Sequence, residues 1–181
     1  MTTLRLTPNQ VTVLGLVVAL IAALLVAQGA FVWALIVWWL SRLLDALDGI
    51  YARASQQTSD FGAFLDIQLD MLAYSAMIIG FYVQFPAFAL QWLLILLCYV
   101  LCIAGALGLG SFENKRGLND SSGRGLRIAV GLAEGGETGI FYSIFLIMPG
   151  LLHITTWLWL LVLTITIIAR ITLAKHELKQ A

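Results

Sequence analysis

The sequence predicts an all-α, polytopic membrane protein that folds as one domain of six transmembrane helices over residues 1–181. Composition is the first observation behind this prediction. Hydrophobic residues make up 61% of the chain and charged residues 11%, whereas soluble domains average about 45–50% apolar and about 25% charged residues. The second observation is that the apolar residues fall in runs long enough to cross a bilayer, which takes about 20 residues of helix.

Six apolar runs occupy nearly the whole chain and leave no room for a soluble domain. They are residues 11–27, 31–47, 64–83, 87–107, 127–147 and 152–169. Before the first run, Thr7 and Pro8 are typical of a helix start, and Gln28 with Gly29 predicts a tight turn after it. The Trp and Tyr side chains are expected mostly in belts at the membrane interfaces.

The basic residues are distributed unevenly between the two predicted faces of the membrane. If the N-terminus is cytoplasmic, all ten Lys and Arg fall on the cytoplasmic side, and the opposite turns near Gly29, Pro86 and Pro149 contain none. This pattern follows the positive-inside rule. It predicts that both termini, and any active site, lie on the cytoplasmic side of the membrane, which we expect to be a bacterial or archaeal cytoplasmic membrane.

Four aspartates lie near the cytoplasmic ends of the second and third helices. They are Asp45, Asp48, Asp66 and Asp70. Spacings of three and four residues place each pair on one helix face. A helix rises about 1.5 Å per residue, so the two pairs of aspartates lie at similar distances from the outer turns and at one depth in the membrane. Ionisable residues at membrane depth are a functional signal, and carboxylates suit hard divalent cations. We therefore expect a site for one or two Mg²⁺ or Mn²⁺ ions.

Small residues and one arginine accompany the aspartates. Gly49 and Ala52 on the second helix and Gly62 on the third leave the backbone open to a ligand. Arg53 adds a guanidinium whose planar fork suits phosphate. Together these residues predict a site for a phosphate-bearing ligand such as a nucleotide.

These eight residues form one spacing pattern over 26 positions. The pattern is Asp45-x2-Asp48-Gly49-x2-Ala52-Arg53-x8-Gly62-x3-Asp66-x3-Asp70. It resembles the complete signature of the CDP-alcohol phosphotransferase family, with no departure in residue type or spacing. Over about residues 5–80 the resemblance rests on specific motifs. Beyond them it rests only on the arrangement of predicted helices.

The resemblance implies a six-helix catalytic bundle, a homodimer and a role in phospholipid biosynthesis. In this family a hydroxyl attacks the β-phosphate of a CDP-linked alcohol, usually CDP-diacylglycerol, and CMP leaves. Carried over by position, the four aspartates would hold the metal, and Asp66 and Asp70 would be catalytic, with Asp70 as the base. Asp48, Gly49, Ala52, Arg53 and Gly62 would line the CDP pocket. Glycerol 3-phosphate is the lead acceptor; inositol phosphate, serine and other alcohols are alternatives.

A second group of charged residues lies on the fifth and sixth helices. Its members are Arg124, Arg127, Glu134, Glu137 and Arg170. In one interpretation they form a pocket for the acceptor alcohol, with arginines on its phosphate. In the other they form a buried Glu–Arg cluster that fixes helix packing.

Two other classes of function compete with the transferase. A cation transporter would need polar residues continuing to the outer face, but the second and third helices are apolar beyond their aspartates. A metal-dependent hydrolase of CDP-linked lipids would use water as acceptor, and the aspartates alone do not exclude it. Membrane lipids are expected partners and nucleic acid is not.

Overall fold

The computed structural model describes residues 7–115 and 135–179, and this part of the chain is helical with no β-strand. The six α-helices are α1 (Pro8–Ala27), α2 (Phe31–Ala54), α3 (Asp60–Gln84), α4 (Ala89–Lys115), α5 (Gly135–Ile147) and α6 (Leu152–Lys179). Short 3₁₀ turns, Pro86–Phe88 and Pro149–Leu151, precede α4 and α6. The predicted all-α class is confirmed.

The predicted count of six membrane spans is not reached in the part of the chain that the structure describes. Among the described residues, four helical segments are long and apolar enough to cross a membrane: Pro8–Ala27, Asp60–Gln84, Pro86–Phe112 and Pro149–His176. α2 is long enough, but two arginines and two aspartates lower its hydropathy. The described part of α5 has 13 residues, about 20 Å of helix, which is short of a hydrocarbon core of about 30 Å. The protein remains an integral membrane bundle.

Local interactions determine where the first helix begins and ends, as the sequence predicts. Pro8 occupies the first turn of α1, where its missing N–H is not needed. The backbone N–H of Thr7 donates to Oε1 of Gln10 at 2.9 Å. At the other end Gly29 has φ = 75°, a conformation that glycine adopts without strain. The tight turn between α1 and α2 is therefore confirmed.

The helices near the aspartates extend further than the apolar runs indicate. α2 continues to Ala54, and α3 begins at Asp60. The side chain of Ser59 caps α3, since its Oγ accepts the backbone N–H of Gly62 at 3.0 Å. All eight residues of the spacing pattern therefore lie on regular helix, which fixes their directions relative to each helix axis.

α1 packs against both α2 and α3, while α4 packs along α6, and α5 contacts α2 and α6. Small residues on α1 permit the close approach: Gly15, Ala19, Ala22 and Ala23 are buried. Close packing through small residues is the usual device of membrane helices, because van der Waals contact replaces the hydrophobic effect there. α1 thus holds α2 and α3 at fixed positions on either side of it.

Aromatic side chains fill the interior of the bundle. Six of the eleven Trp and Tyr residues are buried: Trp38, Trp92, Trp159, Tyr74, Tyr99 and Tyr142. The prediction of interfacial belts is wrong for these six, because they lie inside the bundle instead of on its lipid-facing surface. Trp159 Nε1 donates to Tyr99 Oη at 3.0 Å, Tyr99 and Tyr142 share a hydrogen bond of 2.9 Å, and Tyr142 Oη donates to the carbonyl of Tyr74 at 2.9 Å. This chain of hydrogen bonds joins α6, α4, α5 and α3.

Tyr99→Phe is expected to destabilise the bundle by about 1–2 kcal/mol, because Trp159 Nε1 and Tyr142 Oη each lose a buried partner. Thermal unfolding in detergent should register this as a lower Tm. The matched control is Tyr82→Phe, which removes the same hydroxyl from a side chain that is 47% exposed. Equal Tm values for the two variants would contradict a stabilising role for the chain of hydrogen bonds.

Candidate functional site

A polar cavity of about 160 Å³ opens where the start of α1, the end of α2 and the start of α3 meet. Its walls are formed by Pro8, Asn9, Thr12, Asp48, Gly49, Ala52, Arg53, Gln57, Thr58, Ser59, Gly62, Ala63 and Asp66. The predicted nucleotide-site residues of α2 and α3 are therefore brought to one cavity. The connection between the two helices closes one side of it.

The glycines of the cavity stand beside polar atoms. A Cβ atom added to Gly62 would lie 3.1 Å from both Asn9 Oδ1 and Ser59 Oγ, and one added to Gly49 would lie 3.4 Å from Arg53 Nη1. The guanidinium of Arg53 thus folds back along the face of α2 beside Gly49. The absence of side chains at both glycines leaves these donors and acceptors accessible from the cavity.

Three of the four predicted metal-binding aspartates converge beside this cavity. Asp45, Asp48 and Asp66 each offer one carboxylate oxygen, and the three oxygens lie within 4.8 Å of one another. Asp48 is 6% exposed, and its Oδ2 is buried with no hydrogen-bond partner in the described part of the chain. A buried carboxylate oxygen without a donor is costly unless a cation compensates it. The donor set is all oxygen and fits Mg²⁺ or Mn²⁺.

The fourth aspartate has a different environment. Asp70 Oδ1 accepts a hydrogen bond from Arg42 Nη1 at 2.6 Å, and its Oδ2 lies 3.4 Å from the hydroxyl of Tyr74. Arg42 Nη1 also lies 3.7 Å from Asp45 Oδ2. The cluster of three carboxylates therefore adjoins an Arg–Asp pair. Helical spacing alone predicts one group of four equivalent acids.

The predicted acceptor residues are only partly within the described chain. Arg124, Arg127 and Glu134 lie outside the described residues. Arg170 on α6 is buried, and its Nη1 donates to the carbonyl of Cys102 on α4 at 2.5 Å. Glu137 is half-buried near the start of α5. Neither Arg170 nor Glu137 belongs to the wall of the polar cavity.

Sequence reasoning missed the contribution of α1 and of the α2–α3 connection to the cavity. Pro8, Asn9 and Thr12 come from α1, and Gln57 to Ser59 from the connection. The sequence contains a signal for the part played by α1. Successive membrane helices run in opposite directions, so the start of the first helix lies at the same membrane face as the end of the second. The Thr7–Asn9 segment predicts a helix start and resembles the family, but its spacing does not predict a place in the cavity wall.

The sequence matches the family model described as CDP-alcohol phosphatidyltransferase over residues 5–167. The inner membrane protein YnjF of Escherichia coli is 32% identical over 149 residues, which cover 80% of this chain and 71% of that protein. The archaetidylinositol phosphate synthase of Pyrococcus horikoshii is 31% identical over 176 residues, which cover 97% of this chain and 87% of that enzyme.

Solved structures show the same fold. The phosphatidylinositol phosphate synthase (PgsA1) of Mycobacterium tuberculosis with CDP-DAG bound superposes with a TM-score of 0.64 at 27% identity, covering 93% of this chain and 86% of that one. The complex of the same enzyme with manganese and citrate gives a TM-score of 0.73 at 24% identity, covering 93% and 82%.

Proposed function

Because this chain belongs to the CDP-alcohol phosphatidyltransferase family, we propose that it transfers a phosphatidyl group from CDP-diacylglycerol to an alcohol, with release of CMP. One observation carries the proposal above others. Three carboxylates meet within 4.8 Å beside a polar cavity that Gly49, Arg53 and Gly62 line. A transferase acting on a CDP-linked lipid needs a cation site next to a phosphate site, and this arrangement supports both.

In this proposal Asp45, Asp48 and Asp66 hold a divalent cation, Mg²⁺ or Mn²⁺, with Asp70 adjacent. When bound, the cation neutralises the negative charge that develops on the phosphates during transfer. The three oxygens already converge, and the buried Oδ2 of Asp48 has no hydrogen-bond partner among the described residues. Little rearrangement is then needed on binding, which favours a site already organised for the ion.

The CDP moiety would occupy the polar cavity. Arg53 places its guanidinium beside Gly49, where it can pair with a phosphate of the donor. Gly62 and Ala52 admit the ligand close to the helix backbone, and Asn9 and Ser59 offer polar atoms from the other walls. The diacylglycerol chains of the donor can remain in the surrounding lipid, because the exposed faces of the helices are apolar.

Asp70 would act as the base. It takes the proton of the acceptor hydroxyl as the hydroxyl oxygen forms a bond to the β-phosphorus of the donor, and the bond between that phosphorus and the bridging oxygen breaks. The electron pair leaves with CMP, so the transfer balances without oxidation or reduction. Asp70 also forms an ion pair with Arg42, with Nη1 at 2.6 Å from Oδ1.

An inositol phosphate is the acceptor that the relatives favour. The enzyme of Pyrococcus horikoshii is named an archaetidylinositol phosphate synthase, and those of Streptomyces avermitilis and Mycobacteroides abscessus are named phosphatidylinositol phosphate synthases. None of these names mentions glycerol 3-phosphate, which is the lead acceptor predicted from the sequence. The acceptor phosphate would require cations, for which Arg124, Arg127 and Arg170 remain candidates, with Glu134 and Glu137 for its hydroxyls.

We place the reaction at the cytoplasmic face of a prokaryotic membrane. The ten Lys and Arg of the sequence all fall on the predicted cytoplasmic side, which is also the side of the aspartates. The inner membrane location that YnjF carries in its name agrees with this placement. Assembly as a homodimer stays a prediction from the family resemblance.

Acceptor-dependent CMP release tests the proposed function. The purified full-length protein is reconstituted with CDP-diacylglycerol and Mn²⁺ or Mg²⁺, and CMP is measured with inositol phosphate, glycerol 3-phosphate, serine or no added alcohol. We expect CMP release that needs the metal and rises with inositol phosphate, with a phosphatidylinositol phosphate product by mass spectrometry. Equal CMP release with and without an alcohol would identify a hydrolase instead. Absence of CMP under all conditions would refute CDP-diacylglycerol as donor.

A further inference from the structure

Tyr74 is a buried tyrosine beside the acidic cluster, and the eight-residue spacing pattern does not include it. Its Oη donates to Asp70 Oδ2 at 3.4 Å and accepts from Arg42 Nη1 at 3.3 Å. Arg42 Nη1 also donates to the other oxygen of Asp70 at 2.6 Å. Each oxygen of Asp70 therefore has a donor, and the three side chains form a closed set of hydrogen bonds.

This set of hydrogen bonds adjoins the three converging aspartates. Arg42 Nη1 lies 3.7 Å from Asp45 Oδ2 as well as 2.6 Å from Asp70 Oδ1, so one nitrogen bridges the two carboxylates. The direction in which Asp70 turns its negative charge therefore matters for a cation bound there. This holds whether Asp70 ligates the ion, takes the proton of the acceptor, or does both. Hydrogen bonds behind such a carboxylate orient it and tune the affinity for the metal.

The packing around Tyr74 fixes the place of its hydroxyl. The side chain is 5% exposed, and its ring centroid lies 6.0 Å from that of Trp38 and 6.4 Å from that of Tyr99. The backbone carbonyl of Tyr74 accepts from Tyr142 Oη at 2.9 Å, which ties α3 to α5 at this residue. The bond to Asp70 is longer than the usual O–H···O distance of about 2.7–2.8 Å. A small displacement of the hydroxyl is therefore enough to break it.

Gly135, in the first turn of α5, leaves the space that this hydroxyl occupies. A Cβ atom at position 135 would lie 2.8 Å from Tyr74 Oη, closer than such atoms approach each other in proteins. Gly135 and Tyr142 are seven residues apart and share one face of α5. That face binds the backbone of Tyr74 at one point and passes its hydroxyl at another. A side chain at position 135 therefore has to displace the hydroxyl or the start of α5.

We propose that Tyr74 is a positioning residue that, together with Arg42, sets the direction of the Asp70 carboxylate beside the cation site, and that Gly135 leaves the room this requires. The effect on cation binding follows from the contacts among these residues. The effect on turnover rests on the proposed function. Phenylalanine at position 74 would keep the ring packing but leave Asp70 Oδ2 without its donor, so the carboxylate could turn about its bond to Arg42.

A double-mutant cycle in Mn²⁺ binding tests the positioning role without reference to catalysis. Tyr74→Phe and Gly135→Ala are made singly and together in the full-length protein, and the Mn²⁺ Kd is measured by calorimetry in detergent. Each single change should weaken Mn²⁺ binding about tenfold, the lower end of the loss seen when the support of a metal ligand is removed. The double variant should bind no more weakly than Tyr74→Phe, because alanine at position 135 acts through a hydroxyl that phenylalanine lacks.

Two control variants separate positioning from general damage. Tyr99→Phe removes a buried hydroxyl from a ring that touches Tyr74, but that hydroxyl bonds to Trp159 and Tyr142. It should lower the Tm and leave the Mn²⁺ Kd unchanged. Gly136→Ala repeats the glycine substitution one residue further along α5, where a Cβ atom has no neighbour within 4 Å among the described residues. Its Kd should also be unchanged. If Tyr74→Phe does not fold, the comparison of alanine at the two glycines still decides the proposal.

A Mn²⁺ Kd of Tyr74→Phe equal to that of the parent protein would overturn the proposal. Losses of Gly135→Ala and Tyr74→Phe that multiply in the double variant would overturn the link between Gly135 and the hydroxyl. In turnover assays Tyr74→Phe should lower kcat about 10–100-fold with little change in the KM for CDP-diacylglycerol. An inactive parent protein would refute the proposed function alone, because the Mn²⁺ cycle still decides the role of Tyr74.

Discussion

Asp66→Asn is expected to lower metal-dependent CMP release by about 100-fold or more, the range lost with metal ligands and catalytic groups. Asp66 supplies one of the three oxygens that lie within 4.8 Å of one another. Asparagine keeps the shape of the side chain but removes its negative charge, so that two charges instead of three face the cation. The measurement is CMP release at a series of Mn²⁺ concentrations, together with the Mn²⁺ Kd.

Asp60→Asn is the matched control for this experiment. It makes the same chemical change on the same helix, but Asp60 is exposed in the first turn of α3 and does not belong to the group of converging acids. CMP release by this variant should stay close to that of the parent protein. Full activity of Asp66→Asn at low Mn²⁺ would contradict the assignment of the cation site to these three aspartates.

Gly80→Ala is expected to destabilise the protein by about 1–3 kcal/mol, the usual cost of overpacking, and to reduce CMP release at the same time. A Cβ atom at position 80 would lie 2.5 Å from the carbonyl oxygen of Ala23. That neighbour is backbone, so α1 has to move away from α3. Because α1 contributes Pro8, Asn9 and Thr12 to the cavity, the displacement would also open the proposed CDP site.

The matched control is Gly105→Ala. Gly105 lies within α4, and a Cβ atom there would have no neighbour within 4 Å among the residues that the structure describes. Alanine is a better helix former than glycine by about 0.5–1 kcal/mol, so this variant should be neutral or slightly stabilised. Thermal unfolding and CMP release are measured for both. A normal Tm for Gly80→Ala would mean that the α1–α3 contact adjusts without cost, which would contradict the role given to it.

The comparison of the two glycines shows what sequence reasoning can and cannot reach. Gly80 and Gly105 look alike in the sequence, since each lies within an apolar run. Only the packing of α1 on α3 distinguishes them. The same holds for the aromatic residues: Trp159 and Tyr82 are both compatible with a membrane interface, yet one is fully buried and the other is half-exposed.

The sequence by itself determined the helical class, the membrane environment and the grouping of acids on helix faces. These follow from composition and from the local geometry of a helix, with about 1.5 Å and about 100° per residue. It also identified Ala52 and Gly62 as neighbours of those acids, because a spacing of four residues puts each on the same helix face as an aspartate. The described residues contain four helices of the length and hydropathy of a membrane span instead of six, because arginines and aspartates lower the hydropathy of α2 and the described part of α5 is short.

Only the tertiary structure decided which acids share a point in space. The rotation of each helix about its own axis depends on contacts with remote residues, such as those between α1 and the helices on either side of it. That rotation directs Asp45, Asp48 and Asp66 toward one another and Asp70 toward Arg42. It also brings Asn9 and Thr12 to the cavity. Such contacts join residues far apart in the chain, and no local spacing encodes them.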